Sequence, residues 1–319
     1  MGLVSATAYA ATPPAASNPA NNGQALEIAP PVIYLTASPG QTIKTQIYLR
    51  NISSGNLIVT GQANDFTASG EDGTPKLVLD NNAAPGPYSI KNWISPPAKL
   101  LIIPREIKTM TINMTIPADA SPGGHYGVIR FTATPPELQG TGVSLSASLG
   151  ALILLTVNGD IKDQLSVKEF SVNNGGSAKS FFESGPLNFV ERFENTGNEH
   201  EQPTGQVAIT DMFGKKIASV NVNVPPKSIL PASIRKFDEP LDKSVIGNKR
   251  LFGRYHAKMN VTYSTEKKVL TASIAFWVIP YRLIAIVIAV LIVGFIGLRY
   301  LLRYYNRRVI ARSQKGRRK

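Results

Sequence analysis

The stretch "GGHYGVIRFTA" (residues 123–133) decides how this chain is read. His125 and Tyr126 beside paired glycines, with Asp119 just upstream, have the makings of an active-site loop. A second stretch, "FGRYHAKMNVTYS" (252–264), argues otherwise. Each opens a long strand with Gly-x-Tyr: Gly124 and Tyr126 in the first, Gly253 and Tyr255 in the second. The position of His125 is taken by Arg254, so the pattern keeps the glycine and the tyrosine and releases the histidine. That is the mark of a structural need. Glycine eases the backbone into the strand, and the tyrosine packs with its hydroxyl toward backbone, as at a tyrosine corner. A general base would also need a partner and a pocket that shifts its pKa, and no second histidine or acidic pair recurs nearby.

Around these two landmarks the dominant period is two. "TIKTQIYLR" sends Ile43, Thr45, Ile47 and Leu49 to one face and Lys44, Gln46, Tyr48 and Arg50 to the other. "KTMTINMTI" sets Met110, Ile112, Met114 and Ile116 against Thr109, Thr111, Asn113 and Thr115, and residues 254–263 alternate in the same way. Such runs are half-buried antiparallel strands. Turn clusters such as "SPGQ", "SSGN", "GEDGTP" and "NNAAPGP" separate them at sandwich spacing. A further echo joins "YLRNISSGNLIVTGQANDF" (48–66) to "RFENTGNEHEQPTGQVAITDMF" (192–213), each with a strand ending in asparagine, Asn51 or Asn195, before a Gly-Asn turn. The expected fold is all-β: two tandem Ig-like β-sandwiches, residues 27–158 and 159–277, followed by one C-terminal transmembrane helix.

Composition narrows the chemistry. Among 319 residues there is no cysteine, which excludes disulfides, thiol nucleophiles and zinc–thiolate sites. The three histidines stand singly, so neither a metal nor any other cofactor is expected. The formal charge of +13 is a local property: nine of the 34 Lys and Arg lie in residues 299–319, which hold no acid, leaving 25 bases against 21 acids elsewhere. A basic tail on a nearly neutral body does not predict nucleic-acid binding.

The two ends point to an envelope. From Leu283 to Leu298 every residue is apolar or glycine, and residues 278–302 reach the roughly 20 needed to cross a bilayer. Trp277, Tyr281 and Arg282 are expected at one membrane interface, and Arg299 and Arg303 at the other. The basic stretch 303–319 predicts a cytoplasmic tail and external N-terminal domains. Ala8-Tyr9-Ala10 resembles the end of a signal peptide, so residues 1–26 read as a leader remnant and a Pro/Ala/Asn linker. Export without cysteine fits the cell membrane of a monoderm bacterium.

Few residues offer themselves as contacts. Trp93 in "SIKNWISPP" is either a sugar-stacking platform or a core tryptophan, and Phe181 and Phe182, expected in a loop, are either an edge contact or a partner-binding tip. Asp65 and the turn Glu71-Asp72-Gly73 lack regular calcium-ligand spacing.

"PGQTIKTQIYLRNIS", "NDF", "SIKNWISPP" and "LIIPREIKTMTINMTIPADASPGGHYGVIRF" together resemble the first ectodomain of the WxL-interacting proteins of Gram-positive bacteria, over residues 27–158. The resemblance implies a peptidoglycan-binding first domain, a second domain that contacts other proteins, and WxL-type surface proteins as partners. A non-enzymatic envelope scaffold is therefore expected. The alternative is a chaperone-like assembly factor that presents a β-edge to client surface or pilus proteins.

Overall fold

The computed structural model describes residues 26–80, 82–95, 98–134, 147–247 and 251–316. The leader remnant and nearly all of its linker lie outside the described residues. The chain forms two compact units, one of residues up to 159 and the other of residues beyond it together with segment 68–76.

The first unit, apart from the 68–76 segment at the end of β4 and start of β5, is built from β1 (Leu26–Ala29), β2 (Val32–Ala37), β3 (Thr42–Asn51), β4 (Leu57–Ser69), β5 (Thr74–Val78), β6 (Leu100–Ile102), β7 (Ile107–Thr115), β8 (Gly123–Thr134) and β9 (Ala147–Val157). One sheet runs β1-β3-β7; the other runs β2-β9-β8-β4-β5, with β6 also on β4. Pro30 and Pro31 have no N–H to continue a ladder, and the chain changes sheets there: β1 pairs β3, while β2 pairs β9 in parallel. The predicted alternation of β7 buries Met110, Ile112 and Met114 and leaves Thr109, Thr111 and Asn113 exposed. Those three meet Ile47 and Leu49 of β3 and Ile129, Phe131, Ile153 and Leu155 of the other sheet in one core.

The second unit repeats the plan. Its strands are β10 (Leu165–Asn173), β11 (Phe181–Phe182), β12 (Leu187–Asn195), β13 (Thr204–Asp211), β14 (Lys216–Val222), β15 (Ser233–Leu241), β16 (Gly253–Tyr263) and β17 (Lys268–Val278), with a single turn α1 (Lys243–Ile246). They form a β10-β12-β15 sheet and a β11-β17-β16-β13-β14 sheet around a core of Phe189, Phe193, Phe237, Met259 and Phe276. The chain is thus all-β, two sandwiches and then one apolar helix, α2 (Tyr281–Gly316).

The sequence echoes have structural counterparts. Asn51 is fully buried at the end of β3 and donates to the carbonyls of Gly55, 2.7 Å, and Ile102, 3.0 Å. Asn195, fully buried at the end of β12, donates to Glu199, 2.7 Å, and Ile229, 2.9 Å. Each amide closes its own turn and ties it to a neighbouring segment. The two Gly-x-Tyr sites divide their labour differently from the sequence reading. Positive φ falls on Gly123, +111°, and Gly253, +107°. Gly124 serves another purpose: a Cβ there would stand 1.8 Å from the Tyr126 hydroxyl, so its missing side chain makes room for the ring. The Tyr255 hydroxyl accepts from the Phe252 N–H at 2.9 Å and donates to the Phe252 carbonyl at 3.1 Å, as a corner tyrosine does.

The helix boundary differs by three residues from the expected start at 278. Val278 is still the last residue of β17, buried between Gly253 and Phe182, and its ladder bonds hold it out of the helix. The part long and apolar enough to span runs from Tyr281 to Tyr305, 25 residues.

Alanine at Asn51 or Asn195 removes both carbonyl donors, so each should lower stability by about 1–3 kcal/mol in urea denaturation. Gly124→Ala should cost roughly 1–3 kcal/mol through overpacking. Adding Tyr126→Phe should recover part of that loss, a positive coupling read from a double-mutant cycle.

Candidate interaction edge

The residues singled out in the sequence do not converge on one site. His125 is buried on β8, its Nε2 2.8 Å from the Ser121 carbonyl and its ring 4.6 Å from that of Trp93. Trp93 belongs to a short 3-10 turn (Lys91–Trp93) and packs partly buried against the first core, so its ring is not a bare platform. Phe181 and Phe182 form a two-residue strand rather than a loop, paired in parallel with Trp277 and Val278. Their side chains therefore part company: Phe182 is in the core, while Phe181 is 64% exposed and stacks on Trp277 at 5.9 Å.

The acidic residues considered for calcium are engaged separately. Asp65 accepts from the Ser89 hydroxyl, and Asp72 accepts from Thr74 N–H at 3.1 Å and Thr74 Oγ1 at 2.6 Å. Glu71, within the second unit, accepts from Arg192 Nε at 2.6 Å, and Glu169 takes the other side of that guanidinium. Among the described residues no group of three or more His, Asp or Glu is arranged to hold a metal.

Two buried carboxylates escaped the sequence reading. Glu191 shares the inward parity of Phe189 and Phe193 on β12, opposite Phe237, and is fully buried. Neither of its oxygens meets a donor among the described residues. Burial, then the charges of Glu239 and Asp238, push it up to about 8. Glu201, 2% exposed, accepts from the Ser264 N–H at 3.0 Å, and burial and then neighbouring Asp163 raise it to about 7. Only the inward register of β12 would have exposed Glu191 in advance, since beside Arg192 it reads as part of a charged pair.

The feature with recognition chemistry is backbone. β9 pairs β8 along its whole length, Ala147 to Val157, but β2 covers its other side only from Leu152 onward. Leu152 N–H donates to the Pro31 carbonyl and Asn158 N–H to that of Ala37, each at 2.9 Å. Even-numbered residues thus turn their backbone toward β2, and the alternation of an extended strand turns Ser148 and Gly150 the same way. Among the described residues no strand is hydrogen-bonded to that side of them, although β1 comes near β9. Leu149 packs toward the core and Ala151 is buried, whereas Ser148 and Gly150 are exposed. A Cβ on Gly150 would come within 2.8 Å of Val128 Cγ2, so the glycine keeps this stretch flat. The result is a short strand edge with small side chains, a firm ladder behind it and, among the described residues, no ladder partner on its outer side.

No protein-family model matches the chain, and no curated protein matches it. Solved structures of similar architecture include the YadV chaperone, at 11% identity and a TM-score of 0.38 over 79% of this chain and 100% of that one. The E. coli chaperone DraB is similar at 13% identity and 0.35 over 79% and 96%. A chaperone–tip adhesin complex of CFA/I fimbriae is similar at 13% identity and 0.41 over 78% and 97%.

The two raised carboxylates set a pH dependence. Both begin from an ordinary value of 4.5. Above that pH the unfolded chain has released protons that the folded second unit still holds, so folding is favoured at the acid side of the window. Stability should therefore fall as pH rises from about 4.5 to about 8, by up to roughly 1.4 kcal/mol per pH unit for each group. Glu191→Gln should flatten that slope and raise the denaturation midpoint at pH 8. An unchanged slope would show that Glu191 does not hold its proton in the folded state.

Proposed function

We propose that this chain is a membrane-anchored envelope protein that binds partner proteins through its β-sandwiches and works without catalysis. The open half of β9 takes an extended segment of a partner by strand addition. The observation that carries this reading is the outward backbone of Ser148 and Gly150 beside the point where β2 stops covering β9. Strand addition supplies affinity through main-chain hydrogen bonds and selectivity through alternate side chains, and an open edge is stable in a native protein only when it is short or used. Five residues, Ala147–Ala151, match a short strand of about 17 Å.

The apolar span Tyr281–Tyr305 supplies the anchor, and the basic residues after it favour a cytoplasmic tail with both sandwiches outside. The resemblance to WxL-interacting proteins supports surface proteins as the partner class. It also assigns peptidoglycan to the first domain, and that ligand enters the same test as a competing outcome.

A photo-crosslinking amino acid at Ser148 in intact cells should trap a discrete protein partner, and one placed at Thr111 on exposed β7 should not. Ser148→Pro deletes the outward N–H while leaving the β8 ladder intact, and should weaken that partner's binding roughly tenfold. Equal crosslinking from both positions, or retention of the chain on purified peptidoglycan unaffected by Ser148→Pro, would overturn strand addition at this edge.

A further inference from the structure

One end of the second sandwich is unusually apolar on its outside. The register of its larger sheet brings Val278 opposite Gly253, Tyr255 opposite Asp211, and Thr210 opposite Lys216, so the turn after β13 and the segment before β16 lie at the same end as the last residue of β17. There Phe213 is 87% exposed, Phe252 62% and Met212 49%. The two loops touch: a Cβ on Gly253 would lie 2.2 Å from Met212 Cε.

These side chains are held out by fixed backbone. Asp211 Oδ1 accepts from the N–H groups of Phe213 and Lys215, both at 2.9 Å, which locks the turn beneath the Phe213 ring. The Phe252 peptide is held on both sides by the Tyr255 hydroxyl. Phe181, stacked on Trp277 at this same end, adds a third exposed ring. Lys215, Lys216 and Arg254 stand exposed around the rings, whereas the nearby acids are engaged: Asp211 within its turn and Glu183 with Arg282 at 3.2 Å. The turn at the opposite end of the β16–β17 hairpin is Ser264, Thr265, Glu266 and Lys267, and the ring beside it, Tyr263, packs partly against the core.

We propose that this end of the second sandwich docks on the bilayer surface, with Phe213 and Phe252 seated in the interfacial layer and Lys215, Lys216 and Arg254 on anionic headgroups. The proposal rests on reading α2 as a membrane span. Only Ile279 and Pro280 separate β17 from α2, which keeps the end of the sheet within about 10 Å of the helix start. The connection is also short of slack, since Ile279 N–H donates to the Phe182 carbonyl at 2.8 Å. Aromatic rings and basic side chains at such a boundary are the chemistry that an anionic interface recognises, and apolar loop tips gain by leaving water. The sandwich would then be held at the membrane by three points, and the helix would be only one of them.

The natural absence of cysteine makes single-site labelling clean. The full chain is reconstituted in vesicles of phosphatidylcholine and phosphatidylglycerol, with a nitroxide at Lys215→Cys, Thr265→Cys or Val290→Cys, and relaxation by oxygen and by a water-soluble nickel chelate reports depth. Val290 should read as acyl core and Thr265 as bulk water, with Lys215 at least roughly threefold less accessible to nickel than Thr265. Phe213→Asp with Phe252→Asp should return the Lys215 label to the Thr265 value while Val290 stays in the core. A Lys215 label as accessible as Thr265 in the parent chain, with Val290 in the core, overturns the docking alone. A nickel-accessible Val290 overturns the span and the docking with it.

Discussion

The β16–β17 ladder is the interaction on which the second half of the molecule depends. Its unbroken register, from Gly253 opposite Val278 to Tyr263 opposite Lys268, fixes two things together. Side-chain parity sends Tyr255, Ala257, Met259 and Val261 into the core, because a shift of one residue would turn the whole set to solvent. The same register decides which end of the sheet lies beside the start of α2. Core packing and the end of the sheet that lies beside α2 are therefore one constraint.

Edges pose the complementary problem. A sandwich leaves strands with unpaired backbone at its margins, and this chain treats them unequally. Phe181 and Phe182 close part of the β17 edge, and β2, formed after the chain leaves the β1 sheet at Pro30 and Pro31, closes half of β9. The other half of β9 has no described partner, and its outward residues are a serine and a glycine rather than the lysines and prolines that blunt idle edges. That stretch is the edge on which the proposed strand addition rests.

Buried polar groups are used in two ways. Asn51 and Asn195 are satisfied by turn and neighbour carbonyls, so they make the position of a turn specific. Glu191 meets no such donor from another of the described residues and lies among phenylalanines, so its burial favours the protonated form. Both sit on inward positions of long strands, where period-two patterning leads one to expect an apolar residue. The difference between them is the presence of partners, which no local pattern reports.

Local patterning was enough for the all-β class, the two sandwiches and the terminal apolar helix, because strand alternation, turn residues and hydropathy act over a few neighbouring residues; it did not separate the positive-φ role of Gly123 from the space that Gly124 leaves for Tyr126. The sequence also marked Phe181 and Phe182 without separating them, and His125 and Trp93 without showing that they touch. Tertiary structure decided those points, along with the inward Glu191, the half-covered edge of β9 and the gathering of Phe213, Phe252 and Phe181 at one end of a sheet. Each depends on which strands pair and in what register, between residues as far apart as Phe181 and Trp277. Strand pairing of that kind is set by the closure of two sheets over a shared core, and a local stretch of chain does not contain it.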